Sequence, residues 1–240
     1  MKYFFTVLLL AVLASGCTKK NQVEFTGTAT DINEGSFQIK NINDAVICQT
    51  NIKAGKFYLS QEWADAGYYY MAITKPGFGT QVFDVYLEPG SYTITTNVKQ
   101  PYKYPDIQST AKIQNELTAF YHLSDTVRER LHKNVSDLTA QMNDPKTKSL
   151  PPAAYASLAA RFKDAQSQEL QPGANALSEF TDKYPDNEIA PRMMLNMNYK
   201  DDPLTYYKIY QKLSPAVQNS GAGKTLKQWL DFYMAKPAGK

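Results

Sequence analysis

The chain has 240 residues, of which 43% are hydrophobic and 20% charged, with a formal net charge of +3. It is long enough for one or two domains around a sizeable core and too apolar for a disordered chain. The charge is thinly spread, with Lys19-Lys20 the local basic pair near an end, so no nucleic-acid partner is expected.

Lys2 precedes an almost wholly apolar run over residues 3–14, including Phe4, Phe5, Leu8, Leu9, Leu10 and Leu13. As a helix that run spans about 18 Å. A bilayer core is about 30 Å thick, so the run reads as a signal peptide, residues 1–16, and not as a membrane span. Ala14-Ser15-Gly16-Cys17 resembles the lipobox of bacterial lipoproteins. Cleavage between Gly16 and Cys17 and lipidation of the Cys17 thiol are therefore expected, although Ala14 stands where Leu is usual. The alternative is a plain secretory leader with an incidental cysteine. Residues 17–22 then form a tether, and the membrane, reached through lipid on Cys17, is the first expected partner. Thr18-Lys19-Lys20 carries no acidic run, which points to the periplasm-facing side of the envelope rather than the surface. Cys48 is left as the sole thiol of the mature chain, inside the apolar run Ala45-Val46-Ile47-Cys48, and reads as a small buried hydrophobe.

Residues 23–108 alternate in the manner of strands. Val23 and Phe25, Phe37 and Ile39, Val46 to Cys48, Phe57 to Leu59, Tyr68 to Ile73, Val82 to Leu87 and Tyr92 to Thr96 are separated by turn signals such as Ala54-Gly55, Pro76-Gly77 and Pro89-Gly90. Roughly seven short strands predict an antiparallel β-sandwich or barrel-like domain. Residues 109–236 change to helical periods. Ile113, Leu117, Phe120, Val127, Leu131, Leu138 and Met142 predict one long helix ending at Asp144-Pro145. Pro151-Pro152 opens a second, which Pro172-Gly173 interrupts. Leu177, Phe180 and Tyr184 continue on one face, and short helices follow over residues 189–197, 203–213 and 222–234, before a tail at 237–240. The predicted class is α+β, a β-domain followed by a helical domain.

Several phrases come in a recognisable order: Gly55-Lys56-Phe57, Tyr86-Leu87-Glu88-Pro89-Gly90, Ile107-Gln108-Ser109 leading into Gln114-Asn115-Glu116-Leu117, and Phe180 to Tyr184-Pro185-Asp186. This order resembles an uncharacterised N-terminal β-domain and helical linker of bacterial envelope lipoproteins that carry a thioredoxin-like domain. The resemblance covers about residues 22–236, and it implies structural roles for Gly55, Phe57, Leu87, Glu88, Pro89, Gly90, Tyr184 and Pro185. In such lipoproteins a thioredoxin-like domain with a Cys-x-x-Cys pair follows. This sequence stops at Lys240, where that domain would begin, and holds no Cys-x-x-Cys, so the redox activity is carried over to no residue here.

Other candidate chemistry is thin. Gly223-Lys224-Thr225 has Gln218 where a phosphate-binding loop needs glycine, and it follows a helix. His122 and His132, ten residues apart on one helix, bring no further ligand at metal-site spacing. Glu88 has Asp84 four residues earlier on the same strand face, but a role in holding the turn is the expectation. Tyr68 and Tyr70 share one face and Tyr69 takes the other, so at least one ring is expected in the core. No Gly-x-Ser-x-Gly elbow occurs. Catalytic residues, metal and cofactor are all expected to be none. The leading expectation is a non-enzymatic envelope lipoprotein that binds or scaffolds, with another envelope protein as a possible partner. The alternatives are an accessory or truncated relative of a thiol-disulfide oxidoreductase, and a carbohydrate-binding lipoprotein using its tyrosines.

Overall fold

The computed structural model describes residues 21–235; the signal peptide, Cys17, the tether as far as Lys20 and the tail at 237–240 lie outside the described residues. Eight strands come first: β1 (Gln22–Thr30), β2 (Glu34–Lys40), β3 (Val46–Lys53), β4 (Lys56–Glu62), β5 (Gly67–Lys75), β6 (Gly79–Leu87), β7 (Gly90–Asn97) and β8 (Asp106–Ser109). They form one curled sheet, a half-barrel, in the order β6-β5-β2-β3-β4-β1-β7-β8. The class is α+β, as the sequence predicts. The sheet is nevertheless mixed and not purely antiparallel, because β7 lies parallel to β1 from Val23↔Gly90 to Thr30↔Asn97. The eighth strand is Asp106-Ile107-Gln108-Ser109, whose single apolar residue gives no alternation to read.

The curl has a local cause. β3 and β4 pair only at Lys53↔Lys56, beside the tight turn of Ala54 (φ 48°) and Gly55 (φ 71°). The strands then diverge, and the sheet folds into two four-stranded leaves around a common core. Phe25, Phe37, Phe57 and Tyr92 fill that core, with Phe37 stacked on Phe57 at 4.4 Å. Gly27 stands opposite Phe57 in the β1–β4 register, and a methyl group at Gly27 would collide with the Phe57 ring. The glycine in β1 thus makes room for the aromatic of β4.

Register places each loop at one of two ends. Gln22 begins β1 opposite Glu62 at one end, and that end also carries the β2–β3 loop (41–45), the β4–β5 loop (63–66) and the Glu88-Pro89 turn. The Ala54-Gly55 and Pro76-Gly77 turns lie at the other end.

Helices follow: α1 (Lys112–Asn143), a 3-10 turn (Pro145–Ser149), α2 (Pro152–Glu169), α3 (Pro172–Lys183), α4 (Ala190–Leu195), α5 (Pro203–Tyr210), α6 (Pro215–Gln218) and α7 (Gly221–Ala235). The short α6 and the 3-10 turn are additions to the sequence reading. α1 is about 48 Å long. It buries Leu117, Phe120, Val127, Leu131 and Leu138 at three-, four- and seven-residue steps, which is why a single helix forms there. Asp144 stops it: its carboxylate accepts from Lys146 N–H at 2.9 Å and starts the 3-10 turn instead. α2 and α3 return along α1, split by Pro172 as predicted. The second core comprises Leu117, Phe120, Leu177, Phe180, Met194, Leu226 and Leu230 among others, and Tyr121 packs against both cores.

Candidate functional site

The two outer strands of the sheet, β6 and β8, do not meet; the first turns of α1 lie between them. An edge strand exposes backbone donors and acceptors that must find partners once covered. Here side chains supply them. Gln114, fully buried, accepts from Tyr86 N–H at 2.7 Å on the β6 edge. Its amide donates to the Thr118 hydroxyl at 3.0 Å and the Tyr104 hydroxyl at 3.3 Å. Thr118 donates onward to Ile107 O on β8 at 3.1 Å, and Tyr104 donates to Asp84 O on β6 at 2.5 Å. One glutamine, one threonine and one tyrosine therefore close the half-barrel in place of a strand-to-strand ladder.

Asp84 accepts from the Tyr121 hydroxyl at 2.8 Å, and Tyr121 stacks on Tyr104 at 4.4 Å. Burial pushes both phenols above the ordinary tyrosine range, and the Asp84 charge adds to the effect at Tyr121. Beside them the Arg192 guanidinium lies 3.7 Å over the Tyr68 ring, with its Nε buried and without a hydrogen-bond partner among the described residues. Tyr68 and Tyr69 are each half-buried on opposite faces; Tyr69 packs edge-on against Trp63 at 4.9 Å. One face of Tyr68 is thus already occupied by an arginine.

Next to this seam is an open groove of about 630 Å³ between the start of α1 and the α3–α4 connection. Ala119, Phe180 and Tyr184 give it an apolar floor, while Lys112, Glu116, Lys183 and Asp186 line its rim. The rim is pre-set. Lys112 Nζ lies 2.8 Å from Glu188 Oε1 and 3.5 Å from Glu116 Oε1, and these two carboxylates, Glu188 first, raise the Lys112 pKa. Glu116 also accepts from Glu188 N–H at 2.9 Å. Pro185 O accepts from Ser214 N–H at 2.9 Å, and buried Asn187 caps α4 through Ala190 N–H at 2.7 Å. Among the described residues no nucleophile–base pair lines this groove; it offers apolar contact and mixed charge.

The residues of the family-like phrases are distributed unevenly. Tyr184 and Pro185 meet Asn115 and Glu116 in the groove. Glu88-Pro89-Gly90 is adjacent, because the Gly90 Cα faces Thr110 at the groove's edge. Leu87 is buried in the β core, and Gly55 and Phe57 lie at the far end of the sheet. The role expected of Glu88 belongs instead to Tyr92. Its hydroxyl accepts from Glu88 N–H at 2.9 Å and donates to Glu88 O at 3.1 Å, whereas the Glu88 carboxylate accepts no hydrogen bond from the described residues. A buried ring folding back two residues after Gly90 reaches both backbone groups, which an outward glutamate does not.

The remaining candidates resolve into structure. His122 Nε2 lies 3.3 Å from Pro105 O, and His132 Nδ1 lies 2.9 Å from Glu169 on α2. Among the described residues no group of three or more His, Cys, Asp or Glu side chains is placed to hold a metal ion. Gly223 lies against the carbonyls of Val217 and Gln218, so it serves the close approach of α7 to α6. Cys48 is buried, and desolvation pushes its thiol up to about 11. About one such thiol in ten thousand is ionised at pH 7. Thr118 and Asn187 escaped the sequence reading; Gln114 entered it only as the first residue of the phrase Gln114-Asn115-Glu116-Leu117, with no role given, although it is a polar residue three before Leu117 on the buried stripe. Among the described residues no helix is long and apolar enough to cross a membrane. Comparisons with protein-family models, with curated proteins and with solved structures find no significant match to the chain.

Proposed function

We propose that this chain is a lipid-anchored lipoprotein of the bacterial envelope, facing the periplasm, that works by binding without catalysis. In this reading the groove between α1 and the α3–α4 connection receives an apolar side chain of another envelope protein. The observation that carries it is the groove's construction. An apolar floor of Ala119, Phe180 and Tyr184 sits under rim groups held by hydrogen bonds before any ligand arrives. Pre-set polar groups cost a partner little ordering entropy. The test is a photo-crosslinking residue at Lys183 in cells, with Lys163 on the exposed face of α2 as the control position. A discrete adduct at position 183, lost in Ala119→Trp, is expected. Equal labelling at both positions, or an adduct that survives the filled groove, would sink the reading.

The second reading, an accessory to a separate thioredoxin-like protein, is favoured by one observation: Asn115, Glu116, Tyr184 and Pro185 all line this groove. These residues belong to the phrases that resemble redox lipoproteins. It predicts that the adduct at Lys183 is a thioredoxin-like protein, and an adduct of any other fold would exclude it.

A further inference from the structure

Three large aliphatic side chains are exposed around one hairpin: Ile42 at 69%, Val46 at 48% and Ile47 at 43%. Regular alternation would turn either Val46 or Ile47 inward. A register shift between Ile39 and Lys40 breaks the alternation, so both stay outside and Cys48 turns into the core. The hairpin loop, residues 41–45, is at the end of the sheet where Gln22 begins β1. The segment that would carry lipid leaves from this same end. From Cys17 to Asn21 is four residues' reach, at most about 14 Å. Strand order separates β3 from β1 by β4 alone, and facing leaves lie about 10 Å apart. A bilayer holding acyl chains on Cys17 is therefore within reach of the loop.

We infer that the β2–β3 tip is a second membrane contact, in which Ile42, Val46 and Ile47 enter the interfacial layer of the bilayer that holds the anchor. This rests on the lipid anchor proposed above. The loop's polar groups suit partial withdrawal from water, because most of its backbone N–H groups are bonded within the loop. Asn41 Oδ1 accepts from Asn43 N–H at 2.9 Å and Ala45 N–H at 3.0 Å. Asn41 N–H reaches Ala45 O at 2.9 Å, and Asp44 N–H reaches Asn41 O at 3.0 Å. The one charge in the loop, Asp44, is paired with Lys40 at 2.9 Å. The tip therefore enters with the backbone N–H groups of Asn41, Asn43, Asp44 and Ala45 already bonded and with the Asp44 charge paired to Lys40. Docking there would fix the orientation of the molecule, which attachment through a single lipidated residue leaves free.

The test uses the full lipidated protein in vesicles of phosphatidylethanolamine and phosphatidylglycerol. A bimane fluorophore is placed at Ile42→Cys, or at Phe78→Cys in the turn at the opposite end of the sheet. The buried Cys48 thiol remains unlabelled. Nitroxide-bearing phospholipids should quench the label at position 42 by about threefold more than at position 78, the depth expected of an interfacial side chain. Equal quenching, in protein whose intact mass shows acyl chains on Cys17, overturns this inference and leaves the anchor standing. Unacylated protein overturns the anchor and the inference with it. Disulfide crosslinking of two copies of unlabelled Ile42→Cys by an added oxidant, with no lipid quenching of the labelled protein, also overturns it, and assigns the patch to self-association.

Discussion

Replacing Gln114 with methionine removes the polar closure of the half-barrel while keeping the side chain's length. The largest loss is at Tyr86, whose edge N–H is bonded only to Gln114 Oε1; an orphaned buried donor costs about 1–3 kcal/mol. The Tyr104 and Thr118 hydroxyls each lose an incoming hydrogen bond but keep the ones they donate, to Asp84 O and Ile107 O. That adds on the order of 0.5 kcal/mol each, the lower end for a neutral hydrogen bond. The sum is about 2–4 kcal/mol, or a fall in Tm of roughly 4–16 °C for a chain of this size. Urea and thermal unfolding measure it, with exposed Gln141→Met on the same helix expected within about 0.5 kcal/mol of the parent. Amide exchange adds a local readout: the Tyr86 N–H should lose more protection than its neighbours on β6. A Gln114→Met protein as stable as the parent, with Tyr86 protection unchanged, would refute the idea that this side chain seals the sheet edge.

Tyr92→Phe should cost about 1–2 kcal/mol, because the turn at Glu88 loses both hydrogen bonds to one hydroxyl; chemical denaturation would show it, and no change would return the turn to Pro89 and Gly90 alone. Gly27→Ala should destabilise by about 1–3 kcal/mol through its clash with Phe57, and Gly27→Ala/Phe57→Leu should recover part of that loss in a double-mutant cycle. Cys48 should resist alkylation at pH 8 in the folded chain and react in urea; fast reaction in the folded chain would contradict its burial. Burial raises its folded pKa to about 11, above the ordinary thiol value of 9.0 that holds in the unfolded chain, so this contribution is intact below pH 9 and is lost as pH rises from 9 towards 11. The raised phenols of Tyr92, Tyr104 and Tyr121 act in the same direction from about pH 10 upwards, so stability should fall at alkaline pH, and a pH titration of the unfolding midpoint that stays flat to pH 11 would contradict it.

The seam also bears on how the two halves behave. Tyr121 packs against both hydrophobic cores, and its hydroxyl is bonded to Asp84 on the sheet. The β region therefore borrows α1 to satisfy its edges, and the groove wall formed by Asn115, Glu116 and Ala119 is another face of that same helix.

What the sequence determined by itself was the pattern. Alternation over residues 23–96 and three-to-four-residue spacing after Ile113 separate strand from helix, because side-chain periodicity is a local property of the backbone. Proline and glycine punctuation marks Asp144-Pro145, Pro172 and Pro89-Gly90 for the same reason. Tertiary structure alone decided which strands became neighbours. The parallel pairing of β1 with β7, the polar strand β8 and the parting of β3 from β4 depend on contacts across the chain that leave no local period. It also decided the use of Gln114, which in sequence is one polar residue on an apolar stripe and in space is the group two sheet edges share. Likewise Val46 and Ile47 lie in an apolar run where strand alternation would bury one of them, and the register shift at Ile39/Lys40 leaves both at the surface.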